Sequence, residues 1–170
     1  MPTPTRALPF IAAAALAVFA LAAPASAQTF KAELTGAAVV PDAIKTPASG
    51  QLELTVAANG QSINYVLTVK DIENVVEADI HLGPAVANGP LVIKLFRGAA
   101  KKGPFSGVLA QGKIDAADLT GSMGGAKLSE LIDEFKAGNA YVNVHTNDGS
   151  DPPNSGPGDY RLGEIRGQIK

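Results

Sequence analysis

The strongest constraint on this chain is a two-residue rhythm of apolar and polar side chains, confined to short segments. In Ala140–Thr146, read A-Y-V-N-V-H-T, Val142 and Val144 fall on one face and Tyr141, Asn143 and His145 on the other. In Leu162–Ile169, Ile165 and Ile169 share a face opposed by Glu164, Arg166 and Gln168. Val76–Leu82 sets Ala78 and Ile80 against Asp79 and His81. A period of two is that of a half-buried β-strand, whose successive side chains point to opposite faces, and a helix cannot satisfy it. The polar phases of these three segments are unusual. They hold both histidines of the chain, together with Asp79, Asn143, Glu164 and Arg166.

The rest of the chain points to the same class. Phe30–Thr35 alternates, and Leu52, Leu54 and Val56 are joined through Asn59-Gly60 to Ile63, Tyr65, Leu67 and Val69. Asn-Gly between two alternating runs is a strong hairpin signal, because both residues tolerate positive φ. Gly36–Gly50, with Pro41 and Pro47, reads as a loop. Gly83-Pro84 and Asn88-Gly89-Pro90 mark turns before a short strand over Leu91–Phe96. Arg97–Pro104 reads as a connection and Gly107–Ile114 as a further strand. One helix is expected, with Ser129 as N-cap, Leu131, Ile132 and Phe135 as its apolar stripe and Gly138 just past its end. It leads directly into the Tyr141 strand. Asn147–Tyr160 is a long Asp/Pro/Gly/Ser loop. Seven or eight short strands separated by frequent turns predict an all-β sandwich or barrel of Greek-key type, with the helix before the penultimate strand.

Residues 1–27 are expected to lie outside that fold. Arg6 is followed by the apolar run Phe10–Ala23, and Ala25-Ser26-Ala27 supplies small residues for cleavage before Gln28. The run is short for a membrane span, which needs about 20 residues. A secretory signal peptide with export to the periplasm or cell exterior is the expectation, leaving one domain over residues 28–170 without a transmembrane segment. The formal net charge of −2, with no basic cluster beyond Lys101-Lys102, argues against nucleic acid. The chain has no cysteine, so neither a disulfide framework nor lipoprotein attachment is available.

Taken together, several blocks resemble the chordin (CHRD) domain family. They are Ala78-Asp79-Ile80-His81-Leu82-Gly83-Pro84, then Asn88-Gly89-Pro90-Leu91-Val92, then Ala137–Thr146, then Gly163-Glu164-Ile165-Arg166-Gly167-Gln168-Ile169. Leu34-Thr35-Gly36 and Ala48-Ser49-Gly50 are similar to the family's opening more loosely. The resemblance implies an immunoglobulin-like β-barrel of secreted proteins, found in animals in chordin, which sequesters bone morphogenetic proteins. It implies no settled biochemical role for single-domain bacterial members. The chain departs from the family in three places. The family usually has A-H-I-H at Ala78–His81, commonly has Glu where Val40 stands, and has a shorter connection between His145 and Glu164.

Two readings of the polar phases follow. In the preferred one, Asp79, His81, Asn143, His145, Glu164 and Arg166 form one structural or ligand-binding polar cluster, with Arg166 paired to Glu164 or Asp79. The domain is then a non-enzymatic binding or structural module for a protein, a glycan or another envelope component, and needs no cofactor. In the alternative, Asp79, His81, His145 and Glu164 converge as an N/O ligand set for zinc or copper. Two histidines are too few for a copper–zinc dismutase centre. Catalysis finds no nucleophile, since there is no cysteine and no Gly-x-Ser-x-Gly elbow. Asp148, Asp151 and Asp159 lack EF-hand spacing and read as solvated turn residues rather than a Ca²⁺ site.

The export reading is checked by N-terminal sequencing of the exported protein. The expected first residue is Gln28, and a start at Met1 or far from Gln28 would contradict it.

Overall fold

The computed structural model describes residues 27–170. The expected signal segment lies outside them except for Ala27. The fold is all-β with one short helix, as the alternation requires. Its strands are β1 (Thr29–Thr35), β2 (Ser49–Val56), β3 (Ile63–Leu82), β4 (Leu91–Phe96), β5 (Lys101–Ile114), β6 (Ala140–Thr146) and β7 (Ile165–Gln168), with α1 (Leu128–Lys136) entering β6. Every pairing is antiparallel. β2, β1, β7, β6 and β3 follow one another around a closed barrel, because β2 also pairs with β3. β4 and β5 each pair with β3 outside that ring.

β3 differs from the sequence expectation. The alternation over Ile63–Val69 and over Val76–Leu82 reads as two strands, yet the backbone is one strand of 20 residues. Its first half lies between β2 and β5, its second between β4 and β6. Between the halves, Asp71 (φ 52°) and Asn74 (φ 51°) take left-handed conformations and the register slips. Asp and Asn are among the non-glycine residues that enter this region most readily. The Asn74 carboxamide is used as well, since its Oδ1 accepts from Gly103 N at 2.8 Å. β5 also begins earlier than expected, at Lys101 rather than Gly107.

Two smaller corrections concern the ends of elements. The β2–β3 connection is a longer loop in which Gly60 alone of the Asn-Gly pair has positive φ, while Asn59 Oδ1 accepts from Gln61 N at 3.0 Å. The helix starts two residues earlier than a Ser129 cap would place it. Lys127 occupies the cap, and Glu130 accepts its backbone N–H at 3.1 Å. At the other end Gly138 (φ 65°) stops the helix as expected.

The barrel interior is filled by the apolar phases of the strands. Ile80 faces Val142 across β3 and β6, Ala78 faces Val144, and Val144 faces Ile165 across β6 and β7, all fully buried. Phe135 of α1 closes one end, with its ring 5.3 Å from that of Phe30 in an edge-on arrangement. β6 is not half-buried as its alternation suggests. Tyr141 and Asn143 are buried too, because segments outside the barrel cover its outer face.

Truncating the shared core should be severe. Ile165→Ala is expected to lose about 2–5 kcal/mol, the range for large-to-small core changes, in equilibrium chemical denaturation. A loss below about 0.5 kcal/mol, the scale of ordinary surface substitutions, would show that Ile165 does not occupy this core.

Candidate functional site

The outer face of β3, β6 and β7 carries the polar phases. Asp79 faces Asn143, and Asn143 faces Arg166. In the adjacent row His81 faces Tyr141, and Tyr141 faces Gln168. His145 lies opposite Glu77. Opposed residues on one face of a sheet have Cβ atoms about 5 Å apart, so this register brings Asp79, His81 and His145 together. One ligand atom from each lies within 4.8 Å of the other two.

Their arrangement is specific. Asp79 Oδ1 is 2.8 Å from His81 Nε2 and 3.3 Å from His145 Nε2. His81 Nδ1 is 2.9 Å from the Gly89 carbonyl, and His145 Nδ1 is 2.9 Å from the Arg161 carbonyl. A carbonyl only accepts, so each Nδ1 must carry a proton. In a neutral imidazole the Nε2 lone pair then faces the carboxylate, which also only accepts. Three lone-pair donors therefore converge, and the arrangement is held together either by protons on both Nε2 atoms or by a cation between them.

The carbonyls that orient the histidines are placed by the two buried charges of β7 and the residue before it. Arg166, 2% exposed, forms no hydrogen bond or salt bridge with Glu164 or Asp79. Its NH1 donates to the carbonyls of Ala38 (3.2 Å) and Ala85 (2.6 Å), and its NH2 to those of Pro84 (2.9 Å) and Ala87 (3.0 Å). The guanidinium also lies over the Tyr141 ring, its carbon 3.9 Å from the centroid. The His81 ring is parallel to Tyr141 at 5.1 Å. Arg166 thus fixes the turn between β3 and β4, and Gly89 of that turn holds His81 Nδ1. Gly89 N in turn donates to the Tyr141 hydroxyl at 3.1 Å.

Glu164 does the corresponding work for His145, and it is not part of the histidine cluster. Gly163 (φ 122°) breaks the alternation just before β7, and a Cβ there would collide with the Asn143 carboxamide. The break turns the fully buried Glu164 toward the Thr146 side of the sheet. There its carboxylate accepts from Thr46 Oγ1, from Thr146 Oγ1 at 2.7 Å and from Gly158 N at 2.9 Å. Three donors hold the β6–β7 loop onto the barrel, and Arg161 of that loop presents its carbonyl to His145. Asn143 supports the same loop, donating to the Leu162 carbonyl at 3.0 Å. The six residues expected in one cluster therefore divide. Asp79, His81 and His145 meet at one point, whereas Asn143, Glu164 and Arg166 position the backbone around it.

Sequence reasoning left out Tyr141 as the ring stacked on His81, and Glu77. Glu77 stands two residues before Asp79 in the same alternation, which was the signal available for it. The loop carboxylates make local contacts. Asp148 accepts from Ser150 N, Asp151 from Arg161, and Asp159 from Ser155.

The chain is an all-β barrel domain with two imidazoles and a carboxylate gathered on one outer face. A family model places it more closely: the CHRD domain matches residues 30–153, and the chain belongs to that family. The match ends before Glu164–Gln168, although that block also resembles the family. No characterised protein and no solved structure matches the chain.

The electrostatics of the cluster give it a pH signature. Burial pushes the Asp79 carboxyl up, but hydrogen bonds from His145 and His81 outweigh it and hold the group below its ordinary 3.8. At His145 burial pulls the imidazole down, and the Asp79 hydrogen bond and charge outweigh it, raising it above 6.5. The raised imidazole stabilises the fold fully below pH 6.5, and this is lost as pH rises through its folded value. The depressed carboxyl stabilises the fold above pH 3.8, and this is lost as pH falls through its folded value. Metal-free protein should therefore be most stable between those limits, with its melting temperature declining toward pH 8. His145→Gln should flatten that decline. A wild-type melting temperature that does not change from pH 5 to pH 8 would contradict this account.

Proposed function

We propose that this CHRD domain is an exported binding module whose outer face holds one divalent transition-metal ion, zinc or copper, through Asp79, His81 and His145. The observation that carries the reading is the commitment of both Nδ1 atoms to backbone carbonyls, which leaves both Nε2 lone pairs aimed at the Asp79 carboxylate. Metal-ligating histidines are commonly oriented in this way, by a carbonyl or carboxylate bound to the other ring nitrogen. The distances also suit it. Ligands about 2.0–2.1 Å from a tetrahedral zinc are about 3.3 Å from one another, against 2.8 and 3.3 Å between Asp79 Oδ1 and the two Nε2 atoms.

Two nitrogens and an oxygen fit zinc or copper(II) better than calcium or magnesium, which take oxygen ligands. The histidine side chains are 16% and 14% exposed, so the ion can enter from solvent. Export is supported by the leader-like segment before Gln28 and places the domain where such ions would be met outside the cytoplasm.

The test uses protein purified without a histidine tag and stripped with a chelator. Titration with zinc or copper(II) should show one ion per chain. The fold should gain RT ln(1 + [L]/Kd), about 2.7 kcal/mol at a hundredfold excess over Kd, read as a rise in melting temperature. His81→Ala and His145→Ala should each abolish that rise. A melting temperature indifferent to both ions would overturn the proposal, leaving the cluster as a proton-held structural network. His81→Ala would then lower stability by about 1–3 kcal/mol through the buried partners it strands.

A further inference from the structure

We propose that Glu77 is a fourth protein ligand of this site, and that Lys94 competes with the metal for it. The inference rests on the metal reading above and goes beyond it by completing the donor set. Glu77, Asp79 and His81 stand at alternate positions of β3, so their side chains leave the same face of the sheet. Glu77 is also the register partner of His145 on β6. Directly opposed residues have Cβ atoms about 5 Å apart, within the reach of a glutamate side chain. The negative charge of Glu77 already acts on the His145 imidazole.

Among the described residues the Glu77 carboxylate has one salt-bridge partner, Lys94 Nζ at 3.2 Å. Lys94 lies on β4 as the register partner of Asp79, so its ammonium reaches over the same face from the opposite edge of β3. Both members of the pair are about one-third exposed, 30% for Lys94 and 37% for Glu77. A pair with that access to water is weak and readily exchanged. The Glu164 carboxylate, by contrast, is held in the barrel wall by its three hydrogen-bond donors. Glu77 is free to turn.

The chemistry of the exchange is balanced. A dication arriving at Asp79, His81 and His145 meets a single carboxylate charge. Transfer of Glu77 from Lys94 to the ion supplies the second, giving two imidazoles, two carboxylates and a neutral centre. The Lys94 ammonium is released to solvent with its proton. The protons that His81 and His145 hold on Nε2 in the metal-free cluster pass to water as the ion enters, and no other covalent bond forms or breaks.

The experiment measures zinc affinity by competition with a chromophoric chelator and coordination by the visible spectrum of the cobalt(II)-substituted protein. Wild type, Glu77→Gln and Lys94→Met are compared in the full exported chain. Glu77→Gln is expected to weaken zinc binding at least tenfold and to change the cobalt d–d bands. Lys94→Met is expected to tighten zinc binding, since the competitor for Glu77 is gone. Unchanged affinity in both variants, with wild type still binding zinc, would overturn the role of Glu77 while the three-residue site stands. Weaker affinity with an unchanged cobalt spectrum would also overturn it, because Glu77 would then act through its charge alone. Failure of wild type to bind zinc or cobalt would remove the site and this inference together.

Discussion

A β-strand has two hydrogen-bonding edges, and β3 uses both of them twice. Its first half is held between β2 and β5 and its second half between β4 and β6. One regular strand of this length would keep a single phase. In the first half the inward residues are odd-numbered, Ile63, Leu67 and Val69. In the second they are even-numbered, Ala78 and Ile80. The phase shifts at Asp71 and back at Asn74, leaving odd-numbered Val75 inward opposite Thr146. The lasting change comes in the next step, where the register with β6 slips between Val75 and Glu77. A slip of one residue exchanges the two faces of a strand. Without it, Asp79 and His81 would point into the barrel and Ile80 out of it. The site therefore depends on a one-residue irregularity at Val76, a residue that belongs to no part of it.

The second dependence is electrostatic. A buried guanidinium or carboxylate has to be supplied with hydrogen-bond partners, or its burial opposes folding. Arg166 finds carbonyls in the turns that follow β1 and β3, and Glu164 finds donors in the loops that precede β2 and β7. Arg166 is satisfied by backbone carbonyls and Glu164 by two threonine hydroxyls and one backbone N–H, neither by an opposite charge. Each buried charge thereby fixes a loop, and each loop contributes the one carbonyl that orients a histidine. The two imidazoles are held from opposite sides by separate segments, so a disturbance of one need not carry to the other.

Much of this was legible in the sequence, and the remainder was hidden for identifiable reasons. The alternation of Val142 and Val144, of Ile165 and Ile169 and of Ala78 and Ile80 specified both strand and core phase. The shared polar phases of Asp79, His81 and His145 brought those three together. Glu164 was misplaced because a single glycine, Gly163, breaks the period just before it, and a pattern of two cannot register a change of phase at its own end. Arg166 was assigned an acidic partner because charge pairing is the simplest expectation for a guanidinium. Carbonyls carry no sequence signature, and they are what it binds. The continuity of β3 was hidden because its alternation lapses between Val69 and Val76, where Asp71 and Asn74 bend a single strand.

β5 has a further consequence for the life of the protein in solution. It pairs only with β3 among the described residues and is exposed over most of its length, so one long edge of the sheet is left open. Such an edge invites other chains to add to it and can seed fibrous aggregates. Here the strand begins with Lys101 and Lys102, carries Pro104 within it and has Lys113 near its end. Proline gives up a backbone N–H that an incoming strand would need, and burying three ammonium groups against another copy would be electrostatically unfavourable. The same strand that braces β3 from outside is thus protected against self-assembly by four of its own residues.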